Sequence, residues 1–149
     1  MGGLAKWAFG AQIQIGDGAT PTEGFTTIAE VLDISGPNLT RDTEDVTPHD
    51  AVDGYEEFIA TLRRTGEVTF DVNFVPSHAT HGPGAGGLIG LYESDEATNF
   101  RLVLAASIGY TWAFAAFVTG INPGNPVTGA SRASITLKPT GKPVLAPTP

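Results

Sequence analysis

The chain has 149 residues, enough for one domain that buries about two-thirds of its unfolded surface. It has no cysteine and its only methionine is Met1, which excludes a disulfide framework, thiolate metal sites and covalent catalysis by thiol. Sixteen acidic residues against eight basic ones leave a net charge of −8, which disfavours gripping nucleic acid or anionic membrane yet suits a wall that a polyanion must slide past.

The opening MGGLAKWAFG lacks the apolar run of a signal peptide, and no stretch reaches the roughly 18 apolar residues of a membrane span, so an intracellular, soluble product is expected. Lys6 stands where a myristoylation pattern needs Ser or Thr. Glycine (19) and proline (11) punctuate the chain at the spacing of an antiparallel β protein. A first strand is predicted over 9–15, FGAQIQI, closing at GDG. The Gly-, Pro- and Thr-rich stretch 16–26 ends an extended N-terminal arm of about 1–26. Residues 27–34, TIAEVLDI, read as one strand with Ile28, Leu32 and Ile34 on a common face, interrupted by Glu30.

An acidic stretch follows, RDTEDVTPHD at 41–50. YEEFIATLRR at 55–64 fits a helix or a strand, with the strand favoured. The clearest strand is GEVTFDVNFVP at 66–76, where Val68, Phe70, Val72 and Phe74 form an apolar face and Glu67, Thr69, Asp71 and Asn73 a polar one. A glycine-rich loop leads to a short helix over 88–97, with Leu88, Leu91 and Tyr92 at helical spacing. Three strands remain: 98–104 with Phe100, Leu102 and Leu104, 110–119 with Trp112 and Phe114, and 131–138 with Ala133, Ile135 and Leu137, the last two pairing across GINPGNPVTG. KPTGKPVLAPTP supplies a second extended arm, about 139–149. The fold class is therefore mainly β: two packed antiparallel sheets with one short flanking helix, in a single domain.

The acidic stretch fails as an EF-hand, because counting from Asp42 the sixth residue is Thr47, not glycine, and the twelfth is Asp53, not glutamate. Seven acids between 42 and 57 read more simply as a solvated loop or an interaction surface. His78 and His81 in SHATHGPG lack further ligands and read as exposed loop residues, and His49 has no identifiable nucleophile beside it. Gly82, Gly84 and Gly87 match G-x-G-x-x-G, but six residues separate Gly82 from Val75 of the preceding strand and Pro83 interrupts the glycines, so the match is a helix-entry loop and no cofactor is expected. No metal is expected either. The aromatic strand YTWAFAAF reads as core rather than a sugar-stacking platform, and Arg63–Arg64 is too small for a nucleic-acid patch.

In order along the chain, GDGATPTEGFTTIAEVLDISGP, RDTEDVTPHD, DGYEEFIATLRRTGEVTFDVNFVP and ASITLKPTGKP make it resemble the major tail tube protein of lambda-like, long flexible-tailed phages. The most specific parts are IAEVLDISGP, EEFIATLRRTGEVTFDVNF and the closing LKPTGKP, and the likeness covers nearly the whole chain. The resemblance implies a fold shared with the tubes of contractile injection systems, and a virion protein without catalysis. Six copies would form a ring, and rings would stack around a tape-measure protein and meet tail terminator and tail-tip or baseplate proteins. DNA would pass only as transient, non-specific cargo. The polar residues Glu67, Thr69, Asp71 and Asn73 then become candidates for the bore wall. Arg41, Asp42, Glu44, Asp45, His49, Asp50, Asp53, Glu56 and Glu57 become a long loop contacting neighbouring subunits or rings, with Arg63 and Arg64 as further charge partners. The competing reading is a secreted β-sandwich module that binds glycan or calcium; a small hydrolase has only scattered His and acid residues behind it.

Overall fold

The computed structural model describes residues 4–148. It contains nine strands: β1 Gln12–Gly16, β2 Phe25–Thr27, β3 Val31–Ser35, β4 Thr40–Asp45, β5 Phe58–Arg64, β6 Val68–Asn73, β7 Thr98–Val103, β8 Tyr110–Gly124 and β9 Arg132–Pro147. One turn of 3-10 helix, Val52–Gly54, lies between β4 and β5, and helix α1, Leu88–Tyr92, rests on β8. Among the described residues no helix is long and apolar enough to cross a membrane.

Seven strands form one antiparallel sheet in the order β2-β1-β7-β8-β9-β6-β3, and β4-β5 form a second, two-stranded sheet. β2 and β3 lie at opposite ends of the large sheet, yet only Ile28, Ala29 and Glu30 separate them in the chain. Three extended residues span about 10 Å, so the two ends must come together and the sheet curls into a barrel-like shell of two facing layers. The connecting residues bind both ends: the Ile28 N–H donates to Ile13 O at 2.8 Å, and the Asn73 N–H donates to Glu30 O at 3.0 Å.

The core fills the space between the layers. Val68, Phe70 and Val72 alternate inward on β6, directly opposite Leu137, Ile135 and Ala133 of β9. Phe100 and Leu102 of β7 and Ile13 and Ile15 of β1 complete the same cluster, where the Phe100 and Phe114 rings stack with centroids 6.1 Å apart. Each such side chain taken from water contributes roughly 1.5–3 kcal/mol, which fixes strand register because a one-residue slip would turn the whole set outward.

Four local expectations are corrected. The single strand over 27–34 is two strands, because Glu30 takes a left-handed conformation at φ 59°. A bulge between Val31 and Ile34 shifts the phase of β3, so Val31 and Ile34 pack on the core while Leu32 faces solvent. The helix ends at Tyr92 instead of 97, and its Leu88 is fully buried. His81 is also fully buried, not an exposed loop residue. Its Nδ1 accepts the Val75 N–H at 3.1 Å and its Nε2 donates to Ala29 O at 2.6 Å, so one imidazole ties the glycine-rich loop to the β2–β3 junction.

Of the two stretches anticipated as arms, about 1–26 and 139–149, residues 1–3 and 149 lie outside the described residues, while 17–24 and 139–147 are bonded to the body. Residues 17–24 form the tip of the β1–β2 hairpin, where Asp17 Oδ1 accepts from the Ala19 and Gly24 N–H groups and Glu23 reaches the Gly18 N–H and Asn99 Nδ2. Residues 139–147 continue β9, which pairs with β8 as far as Pro147 opposite Tyr110.

Candidate assembly surfaces

The acidic stretch and the strand after it make the β4–β5 hairpin, which stands outside the core: every residue of β5 is exposed. Its absence of alternation follows from that position, since neither face is buried. Thr47 locks the far end. Its N–H and hydroxyl both donate to Asp45 Oδ1, at 2.9 and 2.6 Å, and its Oγ1 accepts the Glu57 N–H at 2.7 Å. These bonds hold the Asp45 carboxyl below its ordinary pKa, with the Thr47 hydroxyl the larger cause.

Near the base, Arg64 donates through Nε and Nη2 to Asp42 Oδ2 at 3.0 and 2.8 Å, the only ion pair among the described residues. That hydrogen bond, reinforced by charge, lowers the Asp42 pKa and raises that of Arg64. Gly66 lets the strand leave the hairpin: its φ is +70°, and a Cβ there would lie 2.5 Å from Asn38 O.

The structure gathers Arg41, Asp42, Glu44 and Asp45 on β4, places His49 and Asp50 in the turn and Asp53 in the 3-10 segment, and sets Glu56 and Glu57 just before β5. The first five residues of the segment expected as a loop, 41–45, are thus strand. Among the described residues no three His, Asp or Glu side chains converge as a metal site would need. The hairpin also exposes Phe58, Ile59, Leu62, Val52 and Tyr55, the last two by 77% and 75%. A two-stranded hairpin with no buried face is at best marginally stable in water, so these side chains favour a partner surface.

Glu67 lies just before β6, and Thr69, Asp71 and Asn73 point from its outer face. On β9 they face Thr136, Ser134 and Arg132 at the same register, and beyond these lie Gly120, Asn122 and Gly124 of β8. The result is a polar wall three strands wide, acidic along β6 and carrying Arg132 at one end. In the aromatic strand Phe114 is buried and Trp112 packs on the core, while Tyr110 and Phe117 are exposed.

Sequence reasoning missed the main feature of the long β8–β9 ribbon. β7 pairs with β8 only at 111–116, and β6 pairs with β9 only at 132–137. Because the two strands are antiparallel, residues 117–124 of β8 present one open edge and 138–147 of β9 another, at opposite ends and on opposite sides of the ribbon. Pro139, Pro143 and Pro147 sit on the β9 edge, where proline limits indiscriminate strand pairing. They are also why the strand was expected to stop at Lys138.

No family model and no curated protein sequence matches the chain. Solved structures do share its fold. A chain of the virion of a native gene transfer agent particle superposes with a TM-score of 0.74 at 14% identity, covering 95% of this chain and 99% of that one. A chain of the tail of an empty gene transfer agent particle of C6 symmetry gives 0.67 at 16% identity, over 92% and 96% of the two chains. The sheath/tube terminator structure of an extracellular contractile injection system contains another, at 0.70 and 14% identity over 95% and 96%. The protein therefore has the fold of these chains and spans nearly the whole length of each.

Proposed function

We propose that the protein is the structural subunit of a tail tube of the kind carried by lambda-like, long flexible-tailed phages, resident in the virion and without catalytic activity. Six copies close into a ring, rings stack around a tape-measure protein, and the hollow tube later carries DNA as non-specific cargo. Tail terminator and tail-tip or baseplate proteins meet its two ends.

The pair of open edges on β8 and β9 is the observation that carries this reading. Placed on opposite sides of one ribbon, they form a heterologous pair: the edge at 117–124 of one copy can add to the edge at 138–147 of the next, and repetition by rotation gives a closed ring in which both of these edges are paired. The fold shared with tail and injection-tube chains supports it. In such a ring the outer face of β6 lines the bore, where Glu67 and Asp71 repel phosphate and keep DNA from sticking.

Electron microscopy of concentrated protein tests the reading. Rings or hollow filaments of uniform width are expected, and particles of monomer size under every assembly condition would refute it. Replacing Glu67 and Asp71 by Lys should leave tubes intact but slow DNA release from assembled particles, and unchanged release would remove these residues from the bore.

A further inference from the structure

His81 is the one fully buried titratable side chain among the described residues, and the assembly surfaces make no use of it. It stands where the two ends of the large sheet are joined. The Ala29 peptide, between β2 and β3, is gripped from both sides: its N–H donates to Thr80 Oγ1 at 3.2 Å and its carbonyl accepts from His81 Nε2. Thr80, itself buried, accepts the Leu88 N–H at its carbonyl at 2.9 Å, so the first residue of α1 hangs on the same loop.

Donor and acceptor roles at the ring are fixed by its partners. Ala29 O can only accept, so Nε2 carries the hydrogen; the Val75 N–H can only donate, so Nδ1 must offer a lone pair. A proton on Nδ1 would set two N–H groups against each other 3.1 Å apart and place a charge on a ring that has no solvent contact. His78 is under a softer constraint. Its Nδ1 accepts the Thr80 N–H and lies 2.9 Å from Thr80 Oγ1, but the residue is exposed, and that hydroxyl can rotate to accept from a protonated ring.

Nothing around His81 compensates a positive charge. The segments that touch the ring, 28–30, 74–75 and 78–82, carry His78 and one carboxylate, Glu30, which is exposed. Asp33 on β3, Asp71 on β6, and Tyr92 and Glu93 at the end of α1 are exposed as well, and neither imidazole is ion-paired.

We propose that His81 is an acid-sensitive latch on the seam of the barrel: a proton on Nδ1 breaks the bond to Val75, turns the ring, and releases the Ala29 peptide together with the loop that carries α1. Opening lets the ring hold its proton in water, so acid favours the open form and the seam closes again as pH rises. The β6–β9 and β7–β8 ladders contain no histidine and stay paired. The latch belongs to the single chain and is independent of the tube reading.

The test follows amide exchange in the unassembled full chain, corrected for the intrinsic effect of pH, alongside the histidine nitrogen signals of the same sample. At about pH 8, His81 should show a bare Nδ1 and a protonated Nε2. Lowering the pH to about 5 should reduce the protection of the Ala29, Val75 and Leu88 amides at least about tenfold relative to those of Phe70 and Ile135, with the same midpoint as protonation of His81. In His81→Asn, whose Oδ1 can still take the Val75 N–H but gains no proton, the ratio should stay flat, whereas His78→Asn should keep the fall. A flat ratio in the wild type, an Nδ1–H tautomer at the higher pH, or a fall whose midpoint differs from that of His81 would overturn the proposal. The same fall in His81→Asn would assign it to another group and overturn it too. Should that variant not fold, the agreement of midpoints in the wild type decides alone.

Discussion

The barrel and the β4–β5 hairpin are built from the same chain on opposite terms. In the barrel, Phe70 of β6 sits opposite Ile135 of β9, both sealed from solvent, and every inward residue is held by neighbours from other strands. In the hairpin, Phe58, Ile59 and Leu62 have comparable hydrophobicity but no opposing layer, and each is at least half exposed. Burial explains why one region folds by itself. The other has no apolar partner within the described residues, and under the proposed assembly a second molecule supplies it, so their responses to mutation should separate stability from assembly.

The largest separation is expected on deleting residues 45–53. The barrel core lies wholly outside this segment, so the monomer should keep its far-UV signature and thermal transition while polymerisation is lost. Full-length tubes from the deletion would show that the hairpin tip is dispensable. Next, Phe70→Ala should destabilise the monomer by about 3–5 kcal/mol in denaturant unfolding, the usual loss for emptying a packed aromatic site. Leu62→Ala should change monomer stability by less than about 0.5 kcal/mol while weakening assembly. Equal effects of the two on monomer unfolding would erase the distinction between the regions.

A smaller effect is expected at the junction. His81→Phe keeps an aromatic ring but leaves the Val75 N–H and Ala29 O without their imidazole partner, and since both groups are only partly buried the cost should total at most about 1–3 kcal/mol. A variant as stable as the wild type would show that the clamp contributes nothing. The least effect is pH dependence of the hairpin. Hydrogen bonds lower the folded pKa values of Asp42 and Asp45 below the ordinary 3.8, so their contribution is complete above that value and is lost as pH falls through the folded values. Amide signals of β4 and β5 should therefore weaken at acid pH before those of β6 and β9, and simultaneous loss would contradict the assignment.

How much of this was legible in the sequence depended on whether a strand has one buried face. GEVTFDVNFVP, TNFRLVL and SRASITLK alternate because one side faces the core; the first two appear as strands close to the anticipated bounds, and the third starts where anticipated but continues to Pro147. RDTED leaves no such trace, since both faces of β4 are in water and only pairing with β5 makes it a strand. Glu30 hid the break between β2 and β3, because a left-handed turn at a non-glycine residue carries no composition signal. The prolines after Lys138 suggested an arm, though they occupy an open strand edge, where a missing N–H is tolerated. His81 looked solvated from its Gly- and Pro-rich neighbours, and only the fold brought Ala29 O within its reach. The polar face of β6 could be listed from alternation alone, but its position beside Ser134 and Asn122 required the sheet order.

Hydrogen exchange of the unassembled and assembled protein, read at residues 117–124 and 138–147, tests most directly whether the open edges join one copy to the next. Amides on these edges that exchange freely in the monomer should become protected together once rings form, the two stretches changing in step. Assembled rings in which either stretch exchanges as fast as in the monomer would contradict edge-to-edge closure.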